Sequence, residues 1–114
     1  MLPSKYELKY YLEAGGASPF AKWFDQLPRE AGAKVAVALT RMGQGNLSNT
    51  KGVGEGVFEY RIDFGPGFRV YFGKDGDKLI ILLCGGTKKK QQRDIEAAKI
   101  QWKDYKRRKS GKGD

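Results

Sequence analysis

The sequence predicts an α+β domain with four strands, and three observations carry that prediction. The first is Val57 to Phe72, V-F-E-Y-R-I-D-F-G-P-G-F-R-V-Y-F, two period-2 segments around a Gly-Pro-Gly turn. Side chains alternate across a strand, so Phe58, Tyr60, Ile62 and Phe64 share one face while Glu59, Arg61 and Asp63 share the other. Beyond the turn, Phe68, Val70 and Phe72 extend the apolar face, and Arg69 and Tyr71 the polar one. The second is Leu79 to Cys84, an unbroken apolar run of a length that suits a central strand buried on both faces. The third is apolar residues at helical spacing both before and after these strands.

Taken in order, Tyr6 to Tyr11 alternates loosely and is β-prone, which predicts a first strand over about 4–11. Gly15-Gly16 breaks it. Ser18-Pro19 then reads as a helix start, with Ser as N-cap and Pro at the first helical position. Phe20, Trp23, Phe24 and Leu27 follow as one apolar stripe. Pro28 reopens a helix whose inner face is Ala31, Val35, Ala38, Leu39 and Met42, and Gly43 and Gly45 stop it. The two make an αα-hairpin. Residues 44–56 read as a mobile Gly-rich loop carrying Lys51; G-V-G-E-G lacks the strand-loop-helix setting of a nucleotide-binding loop. After the hairpin, Asp75-Gly76 favours a tight type I′ turn into the apolar strand, so three consecutive strands form an antiparallel meander. Thr87 is placed to cap a last helix over about 88–108, striped by Ile95, Ala98, Trp102 and Tyr105. The whole reads as one domain over 1–109 with a flexible tail at 110–114.

At 114 residues the chain can bury a core without staples, and 39% hydrophobic residues exclude wholesale disorder. The single Cys84 excludes an internal disulfide; inside an apolar run it reads as a small buried residue, in keeping with a reducing cytoplasm. No apolar run approaches the roughly 20 residues that span a bilayer, and M-L-P-S-K-Y-E has no signal-peptide core, so the expectation is a cytoplasmic protein with no membrane partner. The net charge of +9 is uneven: residues 85–114 hold eleven basic against four acidic residues, and the rest hold eleven against nine. A basic tail on a near-neutral body points either to an anionic partner or to a solvated helix that aids solubility.

Two features suggest where chemistry sits. Lys88, Lys89 and Lys90 occupy the first turn of the last helix, where unpaired N–H groups already carry partial positive charge. That arrangement reads either as an anion site or as three solvated lysines. The polar hairpin face brings Glu59, Arg61, Arg69 and Tyr71 together, with Lys51 and Lys88 at its margins if strand order permits. The plainer reading of the arginines is a cross-strand pair with Glu59 or Asp63. With no His and one Cys, a zinc or redox site is improbable, and no cofactor is expected. A phosphodiester suits the arginines, which can hold the phosphate and stabilise its transition state. Cleaving RNA through its own 2′-OH needs no metal, only a base, an acid and positive charge. Lys51 or Lys88 is the candidate base, and Tyr71 or Glu59 can also exchange protons.

The run from Phe58 to Asp94, F-E-Y-R-I-D-F-G-P-G-F-R-V-Y-F then K-D-G-D-K-L-I-I-L-L-C-G-G-T-K-K-K-Q-Q-R-D, resembles the RelE/ParE toxin superfamily. It looks most like the HigB-like addiction module killer proteins of phage and bacterial toxin–antitoxin systems. The resemblance implies a RelE-like fold, a helical hairpin packed on a curved, mainly antiparallel sheet. It also implies a cognate HigA-like, helix-turn-helix antitoxin, with operator DNA met only through that antitoxin. RNase members enter the ribosomal A site and cut mRNA on the 70S ribosome without metal. Their functional basic residues match Arg61 and Arg69, with Lys51 a looser fit. On this reading Lys89, Lys90, Arg93, Lys99 and Lys103 grip RNA from the last helix. The sequence departs from the RNase members in lacking His and in placing Cys84-Gly85-Gly86 where they carry Tyr or His. Other members act on DNA gyrase and carry no nuclease residues.

Overall fold

The computed structural model describes residues 5–111. In chain order these form β1 (Glu7–Tyr10), α1 (Pro19–Asp25), α2 (Arg29–Gly43), β2 (Thr50–Gly54), β3 (Val57–Ile62), β4 (Phe68–Asp75), β5 (Leu79–Thr87) and α3 (Gln91–Gly111), with a 3₁₀ turn at Lys88–Lys90. The helix starts and stops follow local chemistry. Ala21 N–H donates to Ser18 Oγ at 3.0 Å, and Pro19 opens α1, so the predicted cap forms. At the end of α2, Gly45 N–H donates to Met42 O and Asn46 N–H to Arg41 O, both at 2.9 Å. This is the Schellman pattern expected of a Gly stop.

The sheet has five strands, not four, in the order β1-β5-β4-β3-β2. β3, β4 and β5 form the expected antiparallel meander, while β1 adds to β5 in parallel, which makes the sheet mixed. The extra strand, β2, lies in the stretch read as a mobile loop. T-K-G-V-G has little strand propensity of its own. The antiparallel ladder with β3, from Thr50 opposite Tyr60 to Gly54 opposite Val57, holds it in place at the edge of the sheet. The two-residue turn with left-handed backbone falls between β2 and β3, at Glu55 (φ 56°) and Gly56 (φ 84°), as type I′ requires. The expected turn at Asp75-Gly76 is looser: Asp75 pairs with Leu79 across a three-residue connection.

The sheet buries both faces. Tyr60, Ile62, Phe68, Val70, Phe72, Ile80 and Leu82 pack against Phe20, Ala31, Val35, Ala38 and Met42 of the α1–α2 hairpin. On the opposite face Val57, Tyr71, Ile81, Leu83 and Cys84 pack under Ile95, Ala98 and Trp102 of α3. The hairpin's polar side is therefore no open surface, because α3 covers most of it. A bulge in β5 lets Leu83 and Cys84 both join this second core, since Tyr71 pairs with Cys84 and Phe72 with Leu82. α3 begins at Gln91 rather than 88, and Thr87 makes no side-chain cap. Ser110 and Gly111, expected in a flexible tail, end α3; residues 112–114, and residue 4 at the expected start of the first strand, lie outside the described residues.

Candidate functional site

Register fixes what the polar face brings together. One row across the sheet runs Lys51 (β2), Glu59 (β3), Tyr71 (β4), Cys84 (β5), and the next runs Arg61 (β3), Arg69 (β4), Gly86 (β5). Glu59 is the hub of the first row. Its side chain is wholly buried, and its Oε2 accepts from Gln91 Nε2 at 2.7 Å and from Tyr71 Oη at 3.2 Å. Its Oε1 lies 3.6 Å from Arg69 Nε and 3.9 Å from Lys51 Nζ. Those two contacts are ion pairs rather than hydrogen bonds, and both Glu59 Oε1 and Arg69 Nε lack a hydrogen-bond partner among the described residues. Tyr71 is equally buried, and burial first, then the Glu59 charge, pushes its hydroxyl pKa strongly upward. Neither Glu59 nor Tyr71 presents a surface on which a nucleobase can stack.

The two arginines part company here. They stand directly opposite each other, a like-charge cross-strand pair that costs stability. Arg69 is buried and compensated by Glu59, so the plainer reading of cross-strand pairing holds for it. Arg61 is exposed and makes no ion pair among the described residues. Strand order does bring Lys88 to this end. Lys88 N–H donates to Gly67 O at 2.8 Å, and Gly67 is flanked by Lys88 Cβ and Arg69 Nη1, 3.4 and 3.5 Å from where a Cβ would stand. The hairpin tip thus seats the lysine turn beside the arginines.

The remaining basic candidates divide along α3. Lys89, Lys90 and Arg93 are exposed at its start, near Lys88. Lys99 pairs with Glu55 at 3.6 Å, and Lys103 lines a shallow surface with Glu55, Glu96 and Ile100, so both lie toward the opposite end of β3. They do not join the arginine end.

Two positions had no signal in the sequence pattern. Gln91 orients Glu59 from the first turn of α3. Asp94 lies over Gly86, where a Cβ would stand 1.8 Å from its Oδ2; that buried atom has no hydrogen-bond partner among the described residues. Burial raises the Asp94 pKa against the pull of Arg93 and Lys90. On the other face a Cβ at Gly85 would stand 2.2 Å from the Trp23 ring. Gly85-Gly86, near the end of β5, therefore carries no side chains because helices approach from both sides. No group of three or more His, Cys, Asp or Glu fit to hold a metal occurs among the described residues, and none of their helices is long and apolar enough to cross a membrane.

Fold and site together define a small basic α+β protein whose mixed sheet carries an arginine pair at the hairpin tip, partly roofed by its last helix. The chain belongs to the family described as Phage derived protein Gp49-like (DUF891), whose pattern it matches over residues 22–105. It is also 43% identical over 82 residues to a Haemophilus influenzae protein described as uncharacterized, covering 71% of this chain and 83% of that one.

Proposed function

We propose that this protein is the toxin of a type II toxin–antitoxin system, of RelE-like fold and HigB-like type, and that it cleaves mRNA on translating ribosomes without a metal. The observation that carries the reading is the opposed Arg61–Arg69 pair with Lys88 beside it. Three cations gathered at one hairpin tip, only one of them neutralised, stand where a phosphate can bind. Membership in a phage-derived family agrees with this. Arg61 and Lys88 hold the scissile phosphate from solvent. Arg69, aimed by Glu59, adds positive charge from beneath as the transition state gains negative charge. Glu59 is in turn held by Gln91 and Tyr71, which makes all three positioning residues. Lys51, half-exposed on the Glu59 row, is the proton-transfer candidate toward the 2′-hydroxyl. The cognate helix-turn-helix antitoxin silences this surface, and operator DNA is met through it.

The test is growth arrest with mapping of mRNA 5′ ends in cells expressing the full chain. Wild type yields ends within the ribosomal A site, and Arg61→Ala removes both the ends and the arrest. Full arrest by Arg61→Ala with unchanged ends would overturn the assignment of the phosphate to Arg61. The burial of Glu59 and Tyr71, which withholds both groups from a bound phosphate, favours a second reading: a non-enzymatic gyrase inhibitor acting by protein contact. Accumulating DNA breaks with intact mRNA would decide for it.

A further inference from the structure

A second cationic feature adjoins the arginine end on the other side of β3. α2 carries Lys34, Val37 and Arg41 along one exposed side, two helical turns from first to last. These line a cavity of ≈ 480 Å³ with Asn49, the outer end of β3 at Arg61, and Phe64 beyond it. Three of its lining residues are cationic, and Asp63 is the lone carboxylate among the described residues that line it. None of the four makes an ion pair among the described residues. Lys34 Nζ instead lies 5.3 Å from the Phe64 ring centroid, and Val37 is 48% exposed. Three cations around one unpaired carboxylate leave the cavity net positive, and an anion between them relieves their mutual repulsion. An exposed valine and a half-buried phenylalanine beside them offer an apolar surface of the kind on which a base rests.

We propose that this cavity is a subsite for an unpaired RNA nucleotide next to the one cleaved, with its phosphate among Lys34, Arg41 and Arg61 and its base against Val37 and Phe64. The inference rests on the RNA-cleaving reading above, and Arg61 links the two, since it lines this cavity and pairs with Arg69 at the hairpin tip. A strand passing from one to the other places consecutive phosphates on either side of Arg61. The size suits a single nucleotide, and Asn49 supplies a donor and an acceptor for a base edge. An acidic protein segment needs no such apolar wall beside a shared arginine, so the observations favour RNA.

The experiment is fluorescence anisotropy of the full chain with a five-nucleotide, fully 2′-O-methylated RNA, which binds without being cut. Three proteins are compared: wild type, Lys34→Gln with Arg41→Gln, and a control that removes the same charge elsewhere, Lys9→Gln with Lys78→Gln. All replaced side chains are exposed, and thermal melting confirms that each variant folds. The cavity pair weakens binding at least tenfold near 0.1 M salt and flattens the plot of log K against log salt by about 0.7 for each phosphate that is no longer neutralised. The control changes affinity less than threefold. Equal losses in both pairs, or none in the cavity pair, would overturn the subsite. So would an oligoglutamate peptide competing with the RNA on wild type and losing its own binding in the cavity pair. If wild type cuts mRNA while the cavity pair binds and cuts normally, this inference alone fails. If wild type neither binds nor cuts RNA, the parent reading fails with it.

Discussion

Arg61 and Arg69 share a charge, a strand register and a hairpin, yet solvent assigns them different work. Arg69 is 6% exposed and is answered by a carboxylate at 3.6 Å, so removing its guanidinium leaves Glu59 buried with only the partly solvated Lys51 as counter-charge. Breaking a buried pair from one side costs about 3–5 kcal/mol. Arg69→Ala therefore lowers the unfolding free energy measured in urea by that order. Arg61→Ala, which also relieves a like-charge pair, stays within about 0.5 kcal/mol of wild type. A stable Arg69→Ala protein would show that Glu59 is satisfied without it. For the same reason loss of toxicity in Arg69→Ala alone cannot be assigned to chemistry, whereas loss in Arg61→Ala can. Both arginines and Glu59 were legible in the period-2 pattern. Their difference in burial was not, because alternation tells which face a side chain takes and says nothing of what lies on that face.

The elements show where local sequence suffices and where a neighbour decides. α1, α2 and the β3–β4 hairpin announce themselves through a Ser-Pro cap, a Gly stop and clean alternation, and each forms where those signals stand. β2 has three glycines in and beside its core, and its identity as a strand comes from β3's unpaired edge, which no local window contains. The end of β5 is the reverse case. Gly85-Gly86 looks like a site that has lost its side chains, yet it is a packing solution for Trp23 on one face and Asp94 on the other. The two glycines should then differ. At Gly85 a methyl meets an aromatic ring wedged between Phe20 and Phe68, and Gly85→Ala costs roughly 1–3 kcal/mol. At Gly86 it meets the free end of a single carboxylate, and pairing Gly86→Ala with Asp94→Ala recovers most of the loss. Equal, unrescued losses at both positions in denaturant melts would mean that backbone strain rather than side-chain contact fixes these glycines.

Across the whole molecule the sheet divides two cores that differ in kind. The α1–α2 side is closed by aliphatic and aromatic groups, while the α3 side contains or borders Tyr11, Tyr71, Cys84 and Tyr105. Burial lifts the Cys84 thiol from its ordinary 9.0 to about 12, helped by the charge of Asp94. Burial, then the hydrogen bond it donates to Asp75, lifts Tyr105 from 10.0 to about 12. Tyr71 rises through burial beside Glu59, and Tyr11 through burial and its 2.6 Å hydrogen bond to Asp104 of α3. A group whose folded pKa is raised contributes stability that is complete below its unfolded value and is lost as pH climbs through the folded one. All four shifts point the same way, so the melting temperature holds up to about pH 9 and falls progressively from there toward 12. The fall should begin in the α3 layer. Two single-tryptophan variants report on it: Trp23→Phe keeps Trp102 of α3, and Trp102→Phe keeps Trp23 of α1. The Trp102 fluorescence transition comes at lower pH than the Trp23 transition, and Tyr71→Phe, which has no proton to lose, moves the first transition upward. Coincident transitions that ignore Tyr71→Phe would mean that the two layers unfold as one and that α3 has no separate freedom to rise from the arginine row.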